Sequence, residues 1–253
     1  NSGEWESILA QGRTEGERLG FEELRKNVVS KSLCTGCGAC FVACPFSEVL
    51  SYAVEGPSLV GECTSCGLCL RVCPRYNLEI GEIESMVFGR LRRPEEVFGI
   101  GKRILVAKGT DKEILARCQD GGVATTLLTS ALTRGIIDGA AVSGLDSSNP
   151  WSPKPVLAKT RDEIIRNAGT RYSYSPNLLA YKEGVSSGLE RLAFVGTPCQ
   201  VLALRRIQKV PLRKYSKPLS FMVGLFCSES FSYKGLMIQK IRDELGIDLR
   251  EIT

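Results

Sequence analysis

Histidine is absent from this sequence of 253 residues. Its absence excludes Ser-His-Asp and Cys-His catalysis, histidine-ligated zinc and histidine as a general base. Long apolar runs are also missing. The longest, Phe221–Cys227 with Gly224 inside it, is far shorter than the roughly 20 residues that span a membrane, so we expect no direct membrane insertion. Residues 1–20 are polar and lack the apolar segment of a signal peptide.

A strong excess of one charge is missing as well. The 33 basic and 28 acidic residues leave a formal charge of +5, which is too small to indicate a nucleic-acid partner. Apolar residues make up 43% and charged residues 24%, which are ordinary values for a folded globular protein. The sequence lacks an initiator Met, and we expect that it begins inside a longer gene product.

Cysteine is the residue whose number and arrangement stand out. There are 11, and eight of them lie between Cys34 and Cys73. Clustering of this kind in a chain without a secretion signal indicates metal binding rather than disulfides. It also indicates a reducing compartment, for which we expect the cytoplasm.

Both halves of the cysteine cluster have the spacing C-x2-C-x2-C-x3-C-P. In bacterial two-cluster ferredoxins, the first three cysteines of such a run bind one 4Fe-4S cluster and the fourth binds the other. The spacing therefore predicts one cluster on Cys34, Cys37, Cys40 and Cys73, and a second on Cys63, Cys66, Cys69 and Cys44. The alternative is two four-cysteine zinc sites, but these favour two CxxC pairs separated by a longer loop. Two adjacent clusters without a substrate pocket conduct single electrons.

The sequence pattern divides the chain into a helical lead at 1–30, a ferredoxin-type domain at 31–80, a linker at 81–101 and a larger domain at 102–253. In the larger domain, short apolar runs alternate with helical periodicity, which predicts an α/β (α+β) fold. Strands are expected at 104–107, 140–143, 156–158, 192–195 and 219–226, and helices at 123–134, 161–168, 200–208 and 233–245. The side chains expected to be buried in the lead are Trp5, Ile8, Leu9, Leu19, Phe21 and Leu24.

Four short motifs in the larger domain follow one another in the order of a known family. They are Gln119-Asp120-Gly121-Gly122-Val123, Ala168-Gly169-Thr170-Arg171-Tyr172, Gly196-Thr197-Pro198-Cys199-Gln200 and Gly224-Leu225-Phe226-Cys227. Together they resemble the beta subunits of the coenzyme F420-reducing hydrogenases and F420 dehydrogenases, over about residues 103–253. The preceding ferredoxin-type domain resembles a variant of that family.

The resemblance implies a flavin-binding domain that holds FAD beside a 4Fe-4S cluster. A glycine turn that runs into a helix offers free backbone amides to a phosphate, and the Thr-Arg-Tyr motif offers a hydroxyl, a cation and an aromatic ring. Taken alone, these motifs are equally typical of an ordinary glycine turn and a loop surface. The implied cofactor-binding residues are Gln119, Asp120, Gly121, Gly122, Val123, Gly169, Thr170, Arg171, Tyr172, Ser175, Asn177 and Pro198.

Cys199 and Cys227 stand where the family has two ligands of a third 4Fe-4S cluster. The other two ligands come from a later CxxC motif, and this sequence has none after Cys227. We therefore expect the domain to continue beyond Thr253. As isolated residues, Cys199 and Cys227 are also typical of buried structural cysteines, and Cys118 is interpreted as structural.

The resemblance further implies that hydride passes between coenzyme F420 and FAD, and that single electrons pass through the clusters to or from a partner. A flavin connects the two processes because it accepts electrons in pairs or singly. No side chain is needed as a catalytic acid or base, since hydride passes directly between bound cofactors. The expected partners are other oxidoreductase subunits, belonging to a hydrogenase, a heterodisulfide reductase-type complex, a formate dehydrogenase or a membrane dehydrogenase complex.

Two alternatives stay open from the residues alone. In one, the chain is a non-catalytic iron–sulfur adaptor that transfers electrons and binds no flavin. In the other, the same flavoprotein fold acts on a different reductant. A basic stretch is interpreted as a solvated helix face, with docking of the anionic tail of coenzyme F420 or of a partner as the alternative. It comprises Arg205, Arg206, Lys209, Arg213, Lys214 and Lys217.

Overall fold

The computed structural model describes residues 19–46, 48–53, 56–210 and 212–252. The chain forms two compact units. One covers the chain up to Ile104 together with Leu202–Ser216, and the other covers Leu105–Val201 and the chain from Lys217. The membership of Leu202–Ser216 in the first unit has no signal in the sequence, because it depends on contacts between residues far apart in the chain.

The first unit contains short helices and one hairpin. Its elements are α1 (Phe21–Leu24), which continues as the π-helical segment Arg25–Val29, then α2 (Ala39–Ala43), β1 (Leu50–Ala53), β2 (Gly56–Leu59), α3 (Leu68–Val72) and α4 (Ile80–Phe88). Strands β1 and β2 pair antiparallel, with Leu50 opposite Leu59. Helix α4 occupies the first part of the expected linker. Of the lead residues expected to be buried, Phe21 and Leu24 are buried and Leu19 is half-buried, while Trp5, Ile8 and Leu9 lie outside the described residues.

The two cysteine runs fold alike. Gly38 and Gly67 adopt left-handed backbone conformations, with φ of +82° and +74°, immediately before α2 and α3. Glycine meets no Cβ penalty in this conformation, so each three-cysteine loop turns directly into a helix. Each helix then ends at the fourth cysteine, Cys44 or Cys73, in extended backbone, and the following proline prevents the helix from continuing.

The core of the first unit surrounds the cysteines. Phe21, Leu24, Val28, Leu50 and Leu70 are buried and pack with the third cysteines of both runs. Burying side chains of this size contributes about 1.5–3 kcal/mol each. The core is small, as expected for a domain of which metal clusters form part of the interior.

The second unit is built on a four-stranded sheet of order β4-β3-β5-β6. Its strands are β3 (Gly139–Leu145), β4 (Pro153–Ala158), β5 (Leu192–Gly196) and β6 (Leu219–Gly224), and its helices include α5 (Lys112–Arg117), α6 (Val123–Thr133), α7 (Arg161–Arg166) and α8 (Leu178–Ser186). Strand β3 pairs antiparallel with β4 and parallel with β5, and β5 pairs parallel with β6. Helix α9 (Pro198–Lys209) follows β5, α10 (Arg213–Ser216) precedes β6, and a π-helical segment runs over Lys234–Glu244.

The mixed α/β class is confirmed, and four of the five expected strands are present. The strand expected at 104–107 is wrong. The described residues form no strand there, and the side chains of Ile104 and Val106 are almost fully exposed. Apolar β-branched residues favour a strand only where a neighbouring strand accepts their hydrogen bonds. Within the described parts of the chain, no helix is both long and apolar enough to cross a membrane.

Candidate functional site

The eight clustered cysteines line two separate cavities in the first unit. Cys34, Cys37, Cys40 and Cys73 line one, which encloses about 350 Å³ of empty space open to solvent. Cys44, Cys63, Cys66 and Cys69 line the other, of about 330 Å³. The structure therefore brings together the same two sets of four that the spacing groups, with the fourth cysteine of each run crossing to the other set.

The chemistry of both cavities fits a 4Fe-4S cluster. Four thiol groups face each cavity, which is the ligand number of that cluster. The hydroxyl of Thr35 lies against the first cavity, is buried, and has no hydrogen-bond partner among the described residues, so a cluster sulfide would give it an acceptor. Thr64 occupies the corresponding place at the second cavity. In the described ranges, no three His, Cys, Asp or Glu side chains group closely enough to hold a single metal ion.

The thiols are costly to ionise without metal. Burial, together with the charges of Cys66 and Cys63, raises the pKa of Cys69 to about 12. Burial also raises the pKa of Cys40 well above its usual range, as does the charge of Cys37. A bound iron–sulfur cluster would offset this cost, because iron binds thiolates and releases their protons.

The glycine turn of the second unit lies at the start of helix α6. Gly122 is the residue before the helix, with a φ of +66°, and no side chain caps the first turn. A Cβ on Gly122 would lie 2.9 Å from Ile114 Cγ2 and 3.2 Å from Cys118 Sγ. Gln119, Asp120 and Val123 are exposed around the turn. The helix therefore presents uncapped amides beside an accessible loop, which is an arrangement that accepts anions.

Two of the predicted binding motifs meet in space. The side-chain amide of Gln119 donates a hydrogen bond to the Tyr172 hydroxyl across 3.3 Å. Tyr172 is 50% exposed, and its neighbours Gly169 and Thr170 are also exposed. The contact joins the glycine turn to the Thr-Arg-Tyr motif and forms a surface with an aromatic ring, two hydroxyls and free amides.

The guanidinium of Arg171 is occupied mainly by the protein itself. It donates hydrogen bonds to the carbonyls of Gly144 (3.2 Å), Thr170 (3.0 Å), Asn167 (3.4 Å) and Ala168 (3.3 Å). Burial lowers the pKa of Arg171. A guanidinium carries five N–H donors, so these four bonds leave one for a ligand. The main role of the side chain is therefore to hold the loop that carries the motif.

Asn177 and Ser175 form part of an internal network. Asn177 is 5% exposed and its amide donates to Val195 O at 2.9 Å. Ser175 Oγ donates to Asn177 Oδ1 at 2.7 Å and accepts a bond from Ser143, and the amide of Gln200 donates to Ser175 O. Contact between FAD and these two side chains stays a prediction, because their described bonds are to protein atoms.

Pro198, Cys199 and Cys227 follow the carboxyl ends of two adjacent parallel strands. Gly196 and Gly224 are in register at the ends of β5 and β6, and Leu225 N donates to Gly196 O at 2.9 Å. Cys199 lies in the first turn of α9, where its thiol is 3.1 Å from the Thr197 hydroxyl, whereas Cys227 is exposed. Parallel strands place such residues at one sheet edge, the usual location of cofactors in α/β folds. A third cluster on the two cysteines stays a prediction.

Sequence reasoning missed the principal contact of Arg206. The basic stretch was expected to form a solvated face, but Arg206 is half-buried and donates to the carbonyls of Arg71 and Tyr76, on either side of Cys73. Lys209 of the same helix pairs with Glu82, and Lys214 lies over the Tyr215 ring. The two adjacent arginines of this helix were the available signal, but no local feature of the sequence indicated that Arg206 would bond to these carbonyls.

Family models match the chain in three stretches. Residues 26–74 match a 4Fe-4S dicluster domain, and residues 104–182 and 189–253 match the N- and C-terminal models described as "Coenzyme F420 hydrogenase/dehydrogenase, beta subunit". The last two together cover more than half of the chain. The chain belongs to the coenzyme F420 hydrogenase/dehydrogenase beta-subunit family.

Similar proteins include members of this beta-subunit family. The chain is 47% identical over 133 residues to the coenzyme F420 hydrogenase subunit beta of Methanosarcina barkeri, covering 51% of this chain and 45% of that protein. It is 29% identical over 245 residues to the coenzyme F420-dependent sulfite reductase of Methanocaldococcus jannaschii, covering 92% of this chain and 36% of that protein. A solved structure of the F420-reducing NiFe hydrogenase complex from Methanosarcina barkeri matches at 44% identity and a TM-score of 0.52, covering 58% of this chain and 52% of that chain.

The chain covers 45%, 55% and 50% of the length of three hydrogenase beta subunits that it matches. It therefore spans about half the length of these relatives. The sulfite reductase match extends over nearly the whole chain. The dicluster match covers both cysteine runs together with their prolines, and it includes the cysteines of both cavities. The chain is thus a member of the F420 hydrogenase/dehydrogenase beta-subunit family with a 4Fe-4S dicluster domain.

Proposed function

We propose that this beta-type chain exchanges hydride between coenzyme F420 and FAD, and passes single electrons through two 4Fe-4S clusters to or from a partner oxidoreductase subunit. The observation that carries the proposal is the division of eight cysteines into two sets of four around two cavities, in a chain of this family. Thiol sets of this kind hold one-electron carriers and make no substrate site of their own.

In this proposal the two cysteine sets are the cluster ligands. Thr35 and Thr64 line the cavities, and the buried Thr35 hydroxyl would donate to a sulfide of a bound cluster. The apolar side chains around the cavities limit access of water to the clusters. The hydrogen bonding and the exclusion of water both influence the reduction potential of the clusters, and both depend on this chain's own residues.

The surface at the start of α6 is the proposed FAD site. FAD, when bound, would supply the exchange between hydride and single electrons. The amides after Gly122 are free to bind its diphosphate, and the exposed ring of Tyr172 is free to contact its ring system. Arg171 holds the motif's loop in place through four carbonyls and keeps one N–H for the ligand. Coenzyme F420 then needs positioning over the flavin and exclusion of water rather than an acid or a base.

The proposed setting is the cytoplasm, with the chain bound to a partner that receives or supplies the electrons. Candidate partners are a hydrogenase, a heterodisulfide reductase-type complex, a formate dehydrogenase or a membrane dehydrogenase complex. Cys199 and Cys227 are the proposed first two ligands of a third cluster beside the flavin, at the edge where β5 and β6 end.

The test is anaerobic and uses the chain purified with its partners. Iron, sulfide and flavin are quantified, and reduced coenzyme F420 is then added while the flavin absorbance is followed. We expect about eight irons per chain from the two cysteine sets, or about 12 if the third cluster is present. The flavin band should bleach first, and cluster absorbance should fall more slowly.

Each alternative gives a different result. About eight irons without flavin would identify a two-cluster adaptor and overturn the hydride step. Bound flavin that a nicotinamide cofactor bleaches, and that reduced coenzyme F420 does not, would assign another reductant to the same fold. Zinc in place of iron would overturn the electron path altogether.

A further inference from the structure

Arg206 connects helix α9 to the loop that follows α3. Its guanidinium donates four hydrogen bonds to backbone carbonyls. Nε donates to Arg71 O at 2.6 Å, Nη1 to Tyr76 O at 2.8 Å and Asn77 O at 3.3 Å, and Nη2 to Leu70 O at 3.4 Å. The four carbonyls lie on both sides of Cys73, so one planar group holds the two arms of the turn that carries this cysteine.

The local backbone explains why a guanidinium suits this position. Helix α3 ends at Val72, so the carbonyls of its last turn lack the regular amide partners of a continuing helix, although Leu70 O accepts a bond from Cys73 N. Arginine side chains commonly satisfy such groups at helix ends. A guanidinium is planar and presents a rigid fork of donors, so it contacts several carbonyls at once where the single ammonium of lysine cannot.

The charge of Arg206 lies close to one cluster-ligand cysteine. Cys73 is 8% exposed, and the guanidinium bonds to the carbonyls of Arg71 and Tyr76 on either side of it. Burial lowers the pKa of Arg206, so the side chain is partly desolvated. A cation in a partly desolvated position interacts more strongly with a nearby negative charge than it would in bulk water.

The corresponding cysteine of the other set has a different neighbour. Tyr215, 4% exposed and also in the Leu202–Ser216 segment, has its pKa raised first by burial and then by the charge of Cys44.

We propose that Arg206 is a positioning residue that fixes the Cys73 turn and raises the reduction potential of the cluster that Cys73 binds, while leaving the other cluster's potential unchanged. This inference rests on the two clusters of the proposed function. Reduction of a four-thiolate 4Fe-4S site adds one electron and makes its net charge more negative by one. A fixed cation stabilises the more negative state, so the electron is held more tightly at this cluster.

The experiment is an anaerobic redox titration of the holoprotein with its partners, followed by electron paramagnetic resonance. Arg206→Gln removes the charge, Arg206→Lys keeps it, and Arg205→Gln is the control. Arg205 is the adjacent half-buried arginine, and its described hydrogen bond is to Gln208. Cys37→Ser removes a ligand of the Cys73 cluster and so identifies the signal of that cluster.

In Arg206→Gln, we expect the one-electron reduction equilibrium of the Cys73 cluster to weaken about tenfold, which corresponds to about 59 mV. The other cluster should change less than threefold. Arg206→Lys and Arg205→Gln should change both clusters less than threefold. Equal shifts of both clusters in Arg206→Gln, or no shift of either with iron content retained, would overturn the inference.

A second readout applies if Arg206→Gln does not retain iron. Loss of about four of eight irons, confined to the Cys73 cluster, supports the positioning role, and Arg206→Lys then decides the role of the charge. A tenfold or larger weakening in Arg206→Lys would contradict that role. The iron content of the wild type separates this inference from the proposed function. A wild type that does not bind about eight irons would overturn the proposed function, whatever the variants show.

Discussion

Gln119 donates a hydrogen bond to the hydroxyl of Tyr172 across 3.3 Å, although 53 positions separate the two residues in the chain. The bond joins the glycine turn before α6 to the Thr-Arg-Tyr motif. Both residues are exposed, so the pair is available to a bound cofactor. The two motifs thereby form one surface, which is the strongest geometric support for the proposed FAD site.

The Gln119–Tyr172 pair should act as a unit in flavin binding. We expect the effects of Gln119→Leu and Tyr172→Phe on FAD affinity to be coupled by about 0.5–1 kcal/mol. The double variant should then bind FAD about two- to fivefold more tightly than the sum of the two single effects predicts. Flavin fluorescence titration of the four proteins measures this. The pair Gln119→Leu and Tyr174→Phe is the control and should be additive. Full additivity in the first pair would show that the hydrogen bond plays no part in binding.

Gly122 should be less tolerant of a side chain than Gly135 at the other end of α6. Both have left-handed backbones, with φ of +66° and +63°, so alanine costs about 1–2 kcal/mol of strain at either position. At Gly122 the new Cβ also meets Ile114 and Cys118, whereas at Gly135 it meets nothing within 4 Å. Gly122→Ala should therefore lower the melting temperature more and reduce flavin occupancy.

Gly135→Ala is the matched control for backbone strain alone. It should keep its flavin. Equal flavin occupancy in the two variants would mean that the turn before α6 does not bind the cofactor.

Arg171 should matter for folding as well as for binding. Arg171→Met leaves the carbonyls of Gly144, Asn167, Ala168 and Thr170 without this donor, which we expect to cost about 2–3 kcal/mol of unfolding free energy. Arg166→Met, at an exposed position in α7, should change stability by less than about 0.5 kcal/mol. Denaturant unfolding measures both. A fully stable Arg171→Met that has lost only its FAD would instead assign the guanidinium to the ligand.

Acid should weaken the contact between Asp111 and Arg161. Arg161 Nη2 lies 2.7 Å from Asp111 Oδ2, and this bond holds the pKa of Asp111 below its usual range. A carboxyl with a lowered folded-state pKa stabilises the fold above its unfolded pKa of about 3.9 and loses that contribution as the pH falls through the folded value. The melting-temperature difference between wild type and Asp111→Asn should therefore be constant near neutrality and should disappear below about pH 4.

Asparagine is the informative substitution at Asp111 because it keeps an acceptor for the backbone amides of Glu113 and Ile114. Asp162→Asn is the control, since Asp162 is mostly exposed and 3.9 Å from the same guanidinium. It should lower the melting temperature at neutral pH less than Asp111→Asn does. If the melting-temperature difference between wild type and Asp111→Asn does not change with pH, the ion pair contributes nothing to stability.

The sequence by itself determined the features that depend on short-range spacing. Two repeats of C-x2-C-x2-C-x3-C-P were enough to group the same four cysteines that share each cavity, because the short loop and helix of each run hold three thiols together. Alternating apolar runs were enough for the mixed α/β class and four strands, because side-chain period follows backbone geometry. The motif order was enough for the family.

Only the tertiary structure decided which polar side chains face the protein and which face outward. Arg171 and Arg206 look alike in sequence to exposed basic residues, yet each binds four carbonyls. Ile104 and Val106 look like a buried strand, yet both are exposed. Burial and hydrogen bonding depend on which distant segments pack together, as with Gln119 and Tyr172, and local residue type carries little information about that packing.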